Sequence, residues 1–272
     1  MLLLQYHSTT TIPVEAECIT PDALAGKSAE EIRALPVQHG NRQMPLGEFF
    51  QVSGSAEDGE ITVEGDCSRV KWIGAGMTRG KIAIRGPIGM HVGAEMRGGD
   101  IEVFGDAGDW VGAEMRGGKI HVHGNAGHLV GAAYRGSRKG MRGGTILIDG
   151  NAGNEIGGTM RRGLIAIGGA CGDFPGISMI AGSIFLFGTP GIRLGAGMKR
   201  GTIAVFTNMP PLLPSFRLAC DYSPTFLQLY LRQLRSWGFA VPEMASNVLF
   251  RRYIGDLVAL GKGEVLHWAR ES

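Results

Sequence analysis

The chain has 272 residues, 44% of them hydrophobic and 19% charged, with a formal net charge of +2. That length and apolar content suffice for a sizeable core, the charge is too mild for a nucleic-acid partner, and no stretch approaches the roughly 18 apolar residues that span a bilayer. The 45 glycines far exceed the usual share of roughly 7%, yet they follow no collagen triplet and the hydrophobic fraction argues against disorder, so their positions carry information.

The opening MLLLQYH is too short an apolar run, with no cleavage pattern after it, for a signal peptide, and the protein is expected to be cytoplasmic. SAEEIRAL predicts a short helix with Ser28 as N-cap and Glu31 in the capping-box position. The four cysteines, Cys18, Cys67, Cys171 and Cys220, are scattered with no CxxC pair, which predicts reduced thiols rather than disulfides or a metal cage.

From Gly59 the chain repeats. Glycines that precede an isoleucine-containing strand stand at Gly59, Gly80, Gly99, Gly118, Gly144, Gly163, Gly182 and Gly201, in steps of 21, 19, 19, 26, 19, 19 and 19 residues. Two residues after each comes Ile61, Ile82, Ile101, Ile120, Ile146, Ile165, Ile184 and Ile203, and two further on Val63, Ile84, Val103, Val122, Ile148, Ile167, Leu186 and Val205. Alternation of this kind marks a strand with one face inside. Nineteen residues are too few for a strand–helix–strand crossover, which needs roughly thirty, but enough for one turn of a solenoid of short strands. The predicted fold is all-β: a single-stranded right-handed parallel β-helix of about seven coils over 59–208, with an N-terminal cap or extension over 1–58 and a helical C-terminal cap or extension over 209–272. Such caps are expected because bare strand edges invite uncontrolled pairing.

The strands end in Gly65, Gly86, Gly105, Gly124, Gly150, Gly169 and Gly188, which predicts bends that use positive φ or close stacking. Asn125 and Asn151, in NAG, fit the same corner through left-handed geometry and a side-chain ladder. After a proline-rich connector, SPTFLQLYLRQLRSWG predicts a helix on which Phe226, Leu229, Tyr230, Leu231 and Leu234 follow helical spacing.

The glycines do not form a P-loop or dinucleotide fingerprint, since they recur in every coil and open no helix. His121 and His123 share an outward strand face with Asp149 one coil on; two histidines and a carboxylate can hold a metal, but a satisfied or interface histidine pair is the reading preferred. His91 and His128 stand alone in turns. Glu95 and Glu114 stack one coil apart, each with an arginine two residues on, which reads as a ladder of surface ion pairs before it reads as an acid–base pair. No serine elbow or cysteine–histidine signature occurs, so no catalytic, cofactor-binding or metal residue is assigned. One coil, from Gly118 to Gly144, is seven residues too long, and the surplus falls in YRGSRKGMRGG. Insertions in solenoids form loops on one face, often the binding face. Tyr134, Arg135, Arg138, Lys139 and Arg142 lie there, and Arg97 and Arg116, like Arg161, Arg162, Lys199 and Arg200, recur at the same coil edge. The first seven of these are the candidate partner interface, within a basic stripe that either docks a partner or polyanion or simply solvates the edge.

The repeated GAEMRGG of 93–99 and 112–118, within units of the form GAxMRGGxIxVxGxAG, resembles the GXGXG-type β-helix domain of the glutamate synthase large subunit. GNAGHLVGAAYRGSRKGMRGGTILIDGNAGNEIG at 124–157, LGEFFQVSG at 46–54 and YIGDLVALGKGEVL at 253–266 more closely resemble the family of formylmethanofuran dehydrogenase C subunits. That resemblance implies a noncatalytic scaffold subunit. One branch of the family belongs to archaeal molybdenum or tungsten formylmethanofuran dehydrogenases. The other belongs to a bacterial formyltransferase/hydrolase complex, which moves a formyl group from tetrahydromethanopterin to a methanofuran analogue and hydrolyses it to formate. Twenty arginines against seven lysines point to a GC-rich bacterial genome and to the bacterial branch. The resemblance further implies that the hydrolase and formyltransferase chains are the larger partners, that the methanofuran analogue and metals sit in those partners, and that this chain binds no cofactor, nucleic acid or membrane. A glutamate-synthase-like module would need amidotransferase and flavin domains for which this length leaves no room. A free-standing β-helix enzyme would need a groove lined by carboxylates.

Overall fold

The structure is a computed structural model that describes residues 1–243 and 248–268; residues 244–247 and 269–272 of the predicted C-terminal extension lie outside the described residues. The elements run β1 (Leu2–Tyr6), β2 (Val14–Glu15), α1 (Pro21–Leu24), α2 (Ala29–Arg33), β3 (Pro36–His39), β4 (Arg42–Pro45), β5 (Phe50–Gly54), β6 (Glu60–Glu64), β7 (Val70–Lys71), β8 (Lys81–Arg85), β9 (Asp100–Val103), β10 (Lys119–Val122), β11 (Arg142–Ile148), β12 (Arg162–Ile167), β13 (Ser183–Leu186), β14 (Arg200–Val205), β15 (Arg217–Tyr222), α3 (Thr225–Ser236), β16 (Phe250–Gly255) and β17 (Lys262–Trp268). The protein is mostly β and rests on one 13-stranded sheet in the order β15-β16-β17-β14-β13-β12-β11-β10-β9-β8-β6-β1-β5.

From β6 to β14 every strand except β7, which joins β2 in a four-stranded sheet of order β4-β3-β2-β7, pairs in parallel with its counterpart in the next repeat, so that Ile61, Ile82, Ile101, Ile120, Ile146, Ile165, Ile184 and Ile203 form one column and Val63 to Val205 the next. All sixteen side chains are at most 1% exposed, each worth roughly 1.5–3 kcal/mol of burial. A column of single-residue bridges, Cys67, Ile88, Ala107, Ala126, Ala152, Cys171 and Pro190, links the repeats a second time. One buried methionine per repeat, Met77, Met96, Met115, Met141, Met160, Met179 and Met198, fills the space between, a task that suits an unbranched thioether.

The ladder is longer than the repeat. Leu2 and Leu4 pair with Ile61 and Val63, so MLLLQYH supplies a rung, and Val265 continues from Ile203 at the other end. Antiparallel β5 at one end and the antiparallel strands β16 and β15 at the other finish the sheet. α2 carries the expected capping box: Ser28 Oγ accepts from Glu31 N–H at 3.2 Å and Glu31 Oε2 from Ser28 N–H at 2.7 Å.

Three local expectations are corrected in part. Most strand-ending glycines do not use positive φ; Gly105 is required because a Cβ there would sit 2.6 Å from the Gly86 carbonyl carbon, whereas Gly112, at φ 60°, needs its freedom outright. Asn125 and Asn151 do not adopt left-handed geometry, but their side chains do ladder, with Asn125 Oδ1 accepting from Asn151 N–H and Asn151 Oδ1 from Ala170 N–H, both at 2.8 Å. Left-handed geometry falls on Trp72, His91, Trp110, Leu129, Glu155, Phe174 and Arg193, one per repeat, and on the glycine two residues after each. Finally, α3 turns Leu227, Leu231 and Leu234 inward while Leu229 and Tyr230 are exposed. Its buried face covers Leu147, Leu164, Ala166, Phe185 and Ala204 on the outer side of the sheet, which is therefore dry in its second half.

Candidate functional site

The basic stripe is built by the repeat itself. The residue after each buried methionine is Thr78, Arg97, Arg116, Arg142, Arg161, Ile180 or Lys199, and the backbone N–H groups of Arg97, Arg116, Arg142, Arg161 and Lys199 each donate to the methionine carbonyl one repeat back, at 2.6–2.8 Å. Side chains at this position therefore stand in file along one edge. Their neutralisation is uneven. Arg116 pairs with Glu95 at 3.3 Å and Arg142 with Glu114 at 3.8 Å, each acid coming from the preceding repeat, which is the ion-pair ladder expected of the two glutamates. The positions from which Arg161 and Lys199 would be neutralised hold Gly140 and Ser178. Among the described residues no carboxylate lies within ion-pair distance of Arg97, Arg135, Arg138, Lys139, Arg161, Arg162, Lys199 or Arg200.

The overlong repeat leaves the core after Ala132 and returns at Met141. Tyr134, two residues after Ala132, is half-buried. The ring lies 4.8 Å from Trp110, 5.6 Å from His91 and 6.0 Å from Trp72, and its hydroxyl is 3.0 Å from His91 Nδ1. Glu114 Oε1 also accepts from the Tyr134 N–H at 3.2 Å. Trp72, His91 and Trp110 are successive members of the left-handed column, and Trp72 stacks on His91 at 4.2 Å. Burial, with Lys71 nearby, pushes His91 down to about 4, so it is neutral near pH 7; burial and then Glu95 and Glu114 push the Tyr134 phenol up. His91 thus has partners that the sequence did not reveal. His128 does too: its Nδ1 accepts from Asn154 N–H at 2.9 Å. The signal for the aromatic cluster was in the sequence, in the residue before each VG or IG: WIGAGM, HVGAEM and WVGAEM. Beyond Tyr134, the loop holds Arg135, Arg138 and Lys139 exposed.

His121 and His123 form a closed network. His121 Nε2 meets Asp149 Oδ1 at 2.9 Å, His123 Nδ1 meets Asp149 Oδ2 at 2.8 Å, and His123 Nε2 meets Glu102 Oε1 at 3.1 Å. His121 does not face solvent as expected; it is 3% exposed, with Phe239 6.3 Å away. Burial raises the Asp149 pKa, but hydrogen bonds from the two histidines outweigh it and hold the carboxyl below its ordinary range. Glu102, His121 and His123 bring possible ligand atoms within 4.8 Å of one another, so these are the residues that could hold a metal ion. The cysteines do not gather: Cys67 and Cys171 occupy one column with four residues between them, and burial pushes Cys18, Cys67 and Cys171 up to about 11, 12 and 11, which keeps the thiols protonated. That set does not suit an iron–sulfur cluster, which needs clustered thiolates.

A glycine-patterned parallel β-repeat with a cationic edge, an anchored basic loop and a helix-covered flank defines a class of proteins whose distinguishing features lie on their surfaces. The chain belongs to the family of formylmethanofuran dehydrogenase C subunits. It is similar over 98% of its length, and over 100% of the matched chain, to a chain in the crystal structure of the formyltransferase/hydrolase complex (FhcABCD) from Methylorubrum extorquens in complex with methylofuran, with 32% identity and a TM-score of 0.89. It is 52% identical over 85 residues to the C subunit of the molybdenum-containing formylmethanofuran dehydrogenase 1 of Methanosarcina barkeri, and 46% identical over 95 residues to the C subunit of the tungsten-containing formylmethanofuran dehydrogenase 2 of Methanothermobacter thermautotrophicus. These matches span only 28% and 35% of the two relatives and 30% and 34% of this chain. No family model matches the chain.

Proposed function

We propose that this chain is the noncatalytic C subunit of a formyltransferase/hydrolase complex, in which hydrolase and formyltransferase partners transfer a formyl group from tetrahydromethanopterin to a methanofuran analogue and release formate. The observation that carries the reading is the end-to-end match to a chain of such a complex. The archaeal molybdenum or tungsten dehydrogenase is the second reading, favoured by higher identity over about a third of the chain. The bacterial complex is preferred because its likeness extends over both flanks as well as the repeat.

In this reading 59–208 wraps as a right-handed β-helix, since connections between parallel neighbouring strands are right-handed almost without exception, and 1–58 and 209–272 cap it. The methanofuran analogue and the metals belong to the partner chains. The loop and stripe residues Arg97, Arg116, Tyr134, Arg135, Arg138, Lys139 and Arg142 form the docking face, supported by the tethering of Tyr134, which presents the loop cations with little ordering left to lose on binding. No helix among the described residues is long and apolar enough to cross a membrane.

Native mass spectrometry of the complex purified through a tag on this chain tests the proposal. The expected result is stoichiometric larger subunits with formyltransferase and hydrolase activity, loss of those subunits on reversing Arg135, Arg138 and Arg142 to Glu, and no turnover by the chain alone. A chain that purifies by itself, or turns over a formyl substrate by itself, refutes it.

A further inference from the structure

A recess lies away from the anchored loop. It is a groove of about 770 Å³ between α3 and the far half of the stripe, and its walls carry Arg161, Arg162, Lys199, Arg200, Tyr230 and Trp237. Among the described residues no carboxylate lines the groove beside these four cations, although the chain as a whole has a formal excess of only +2. Arg161 and Lys199 occupy the same column two repeats apart, as do Arg162 and Arg200 in the next column. At about 4.8 Å per repeat, the two cation pairs stand about 10 Å apart. Ile180 and Ala181 of the intervening repeat make an apolar floor between them, and exposed Tyr230 and Leu260 face it from α3 and the β16–β17 connection.

We infer that this groove seats an acidic segment of a partner protein, one that carries carboxylates on both sides of an apolar or aromatic anchor residue. The inference rests on the scaffold reading above and gives the chain a second docking site. Charge complementarity sets the class of ligand: unpaired cations on both flanks are matched by anionic groups on both flanks of the occupant. The volume and the two-pair spacing exceed what a single small anion fills, and Tyr230 with Trp237 supplies the rigid amphipathic surface on which a buried anchor packs. Elsewhere along the same edge, Glu95 and Glu114 already neutralise Arg116 and Arg142; here the repeat withholds the acids.

The test uses the full chain and a fluorescein-labelled peptide with one phenylalanine between two pairs of glutamates, read by fluorescence anisotropy. Saturable binding is expected, weakened at least tenfold when Arg161→Glu is combined with Arg200→Glu, weakened less by the milder Arg161→Gln with Arg200→Gln, and unchanged by Arg135→Glu with Arg138→Glu. Replacing the glutamates by glutamine should abolish it, and raising salt should weaken it. The side chains are exposed, so the variants should melt with the wild type. Equal binding of the glutamine peptide, equal affinity for inorganic phosphate or an RNA oligonucleotide, or indifference to both Arg161/Arg200 double variants overturns the inference. In the purified complex, Arg161→Glu with Arg200→Glu should release or loosen one of the partner chains. Intact assembly of that variant removes the groove but leaves the scaffold reading standing, whereas failure of the wild-type chain to retain any larger partner removes the scaffold reading.

Discussion

Removing the Tyr134 ring should unfasten the basic loop without unfolding the protein. The hydroxyl makes one contact, 3.0 Å from His91 Nδ1, and the ring meets three others within 4.8–6.0 Å. Tyr134→Phe keeps the ring contacts and strips the half-buried imidazole of its partner, a loss of about 1 kcal/mol. Tyr134→Ala also forfeits aromatic contacts worth about 0.5–1.5 kcal/mol each beyond area burial, and part of the ~3–5 kcal/mol that deleting a fully buried aromatic ring costs, so about 2–3 kcal/mol is lost. Arg135, Arg138 and Lys139 are trypsin sites on the exposed loop. Because cleavage of a transiently opened segment tracks the population of the open form, the alanine variant should be nicked there roughly 30-fold faster or more, at about tenfold per 1.4 kcal/mol. The phenylalanine variant should be nicked only a few-fold faster, and circular dichroism of the repeat should stay unchanged in both. Equal nicking rates and equal urea midpoints for Tyr134→Ala and the wild type would show that the ring does not hold the loop.

Ile120→Asp places a carboxylate at a position with no exposure between Ile101 and Ile146; an unpaired buried charge costs several kcal/mol against a total stability of about 5–15 kcal/mol, so the variant should be insoluble, and soluble protein with unchanged melting would contradict the ladder. His91, held near pKa 4 when folded and ordinarily 6.5, binds more protons in the unfolded chain, so its contribution to stability is fully present above about pH 6.5 and is lost as pH falls towards 4. Discounted for its partial exposure, this is about 1–2 kcal/mol, and His91→Phe should flatten the acid limb of a melting-temperature profile between those values.

What recurs was legible and what occurs once was not. The two apolar columns and the file of cations could be read because each position is written many times over, and a single misread residue would have broken the register. β1 and β17 stack by the same rules, Leu2 on Ile61 and Val265 on Ile203, but each is a single rung outside the glycine period and looked like flanking sequence. The buried face of α3 was open to a stricter reading, since Leu227, Leu231 and Leu234 are the i, i+4, i+7 set; the neighbouring Leu229 and Tyr230 blurred it. The His91–Tyr134 contact joins residues 43 apart through a loop whose path no local pattern specifies. Left-handed Trp72, His91 and Trp110 defeat the habit of assigning such corners to glycine or asparagine, because stacking along the repeat axis compensates a strain that costs roughly 1–2 kcal/mol per residue.

The uneven pairing along the stripe decides which of its cations can drive association. An arginine that already holds a carboxylate must exchange one ion pair for another when a partner docks, and exposed pairs are worth only about 0–1 kcal/mol in the first place; the net gain is close to nothing. Arg116 is in that position, and Arg142 is held to a Glu114 that is itself largely buried. Arg97, Arg135, Arg138 and Lys139 are not, so of the cations in the proposed docking face these four carry the attraction, and the loop tip carries most of it because Tyr134 has already fixed where it stands. An acidic partner surface should therefore respond to charge reversal at Arg135 or Arg138 through a slower association rate, and hardly at all to reversal at Arg116 beyond the repulsion that a new acid brings to Glu95.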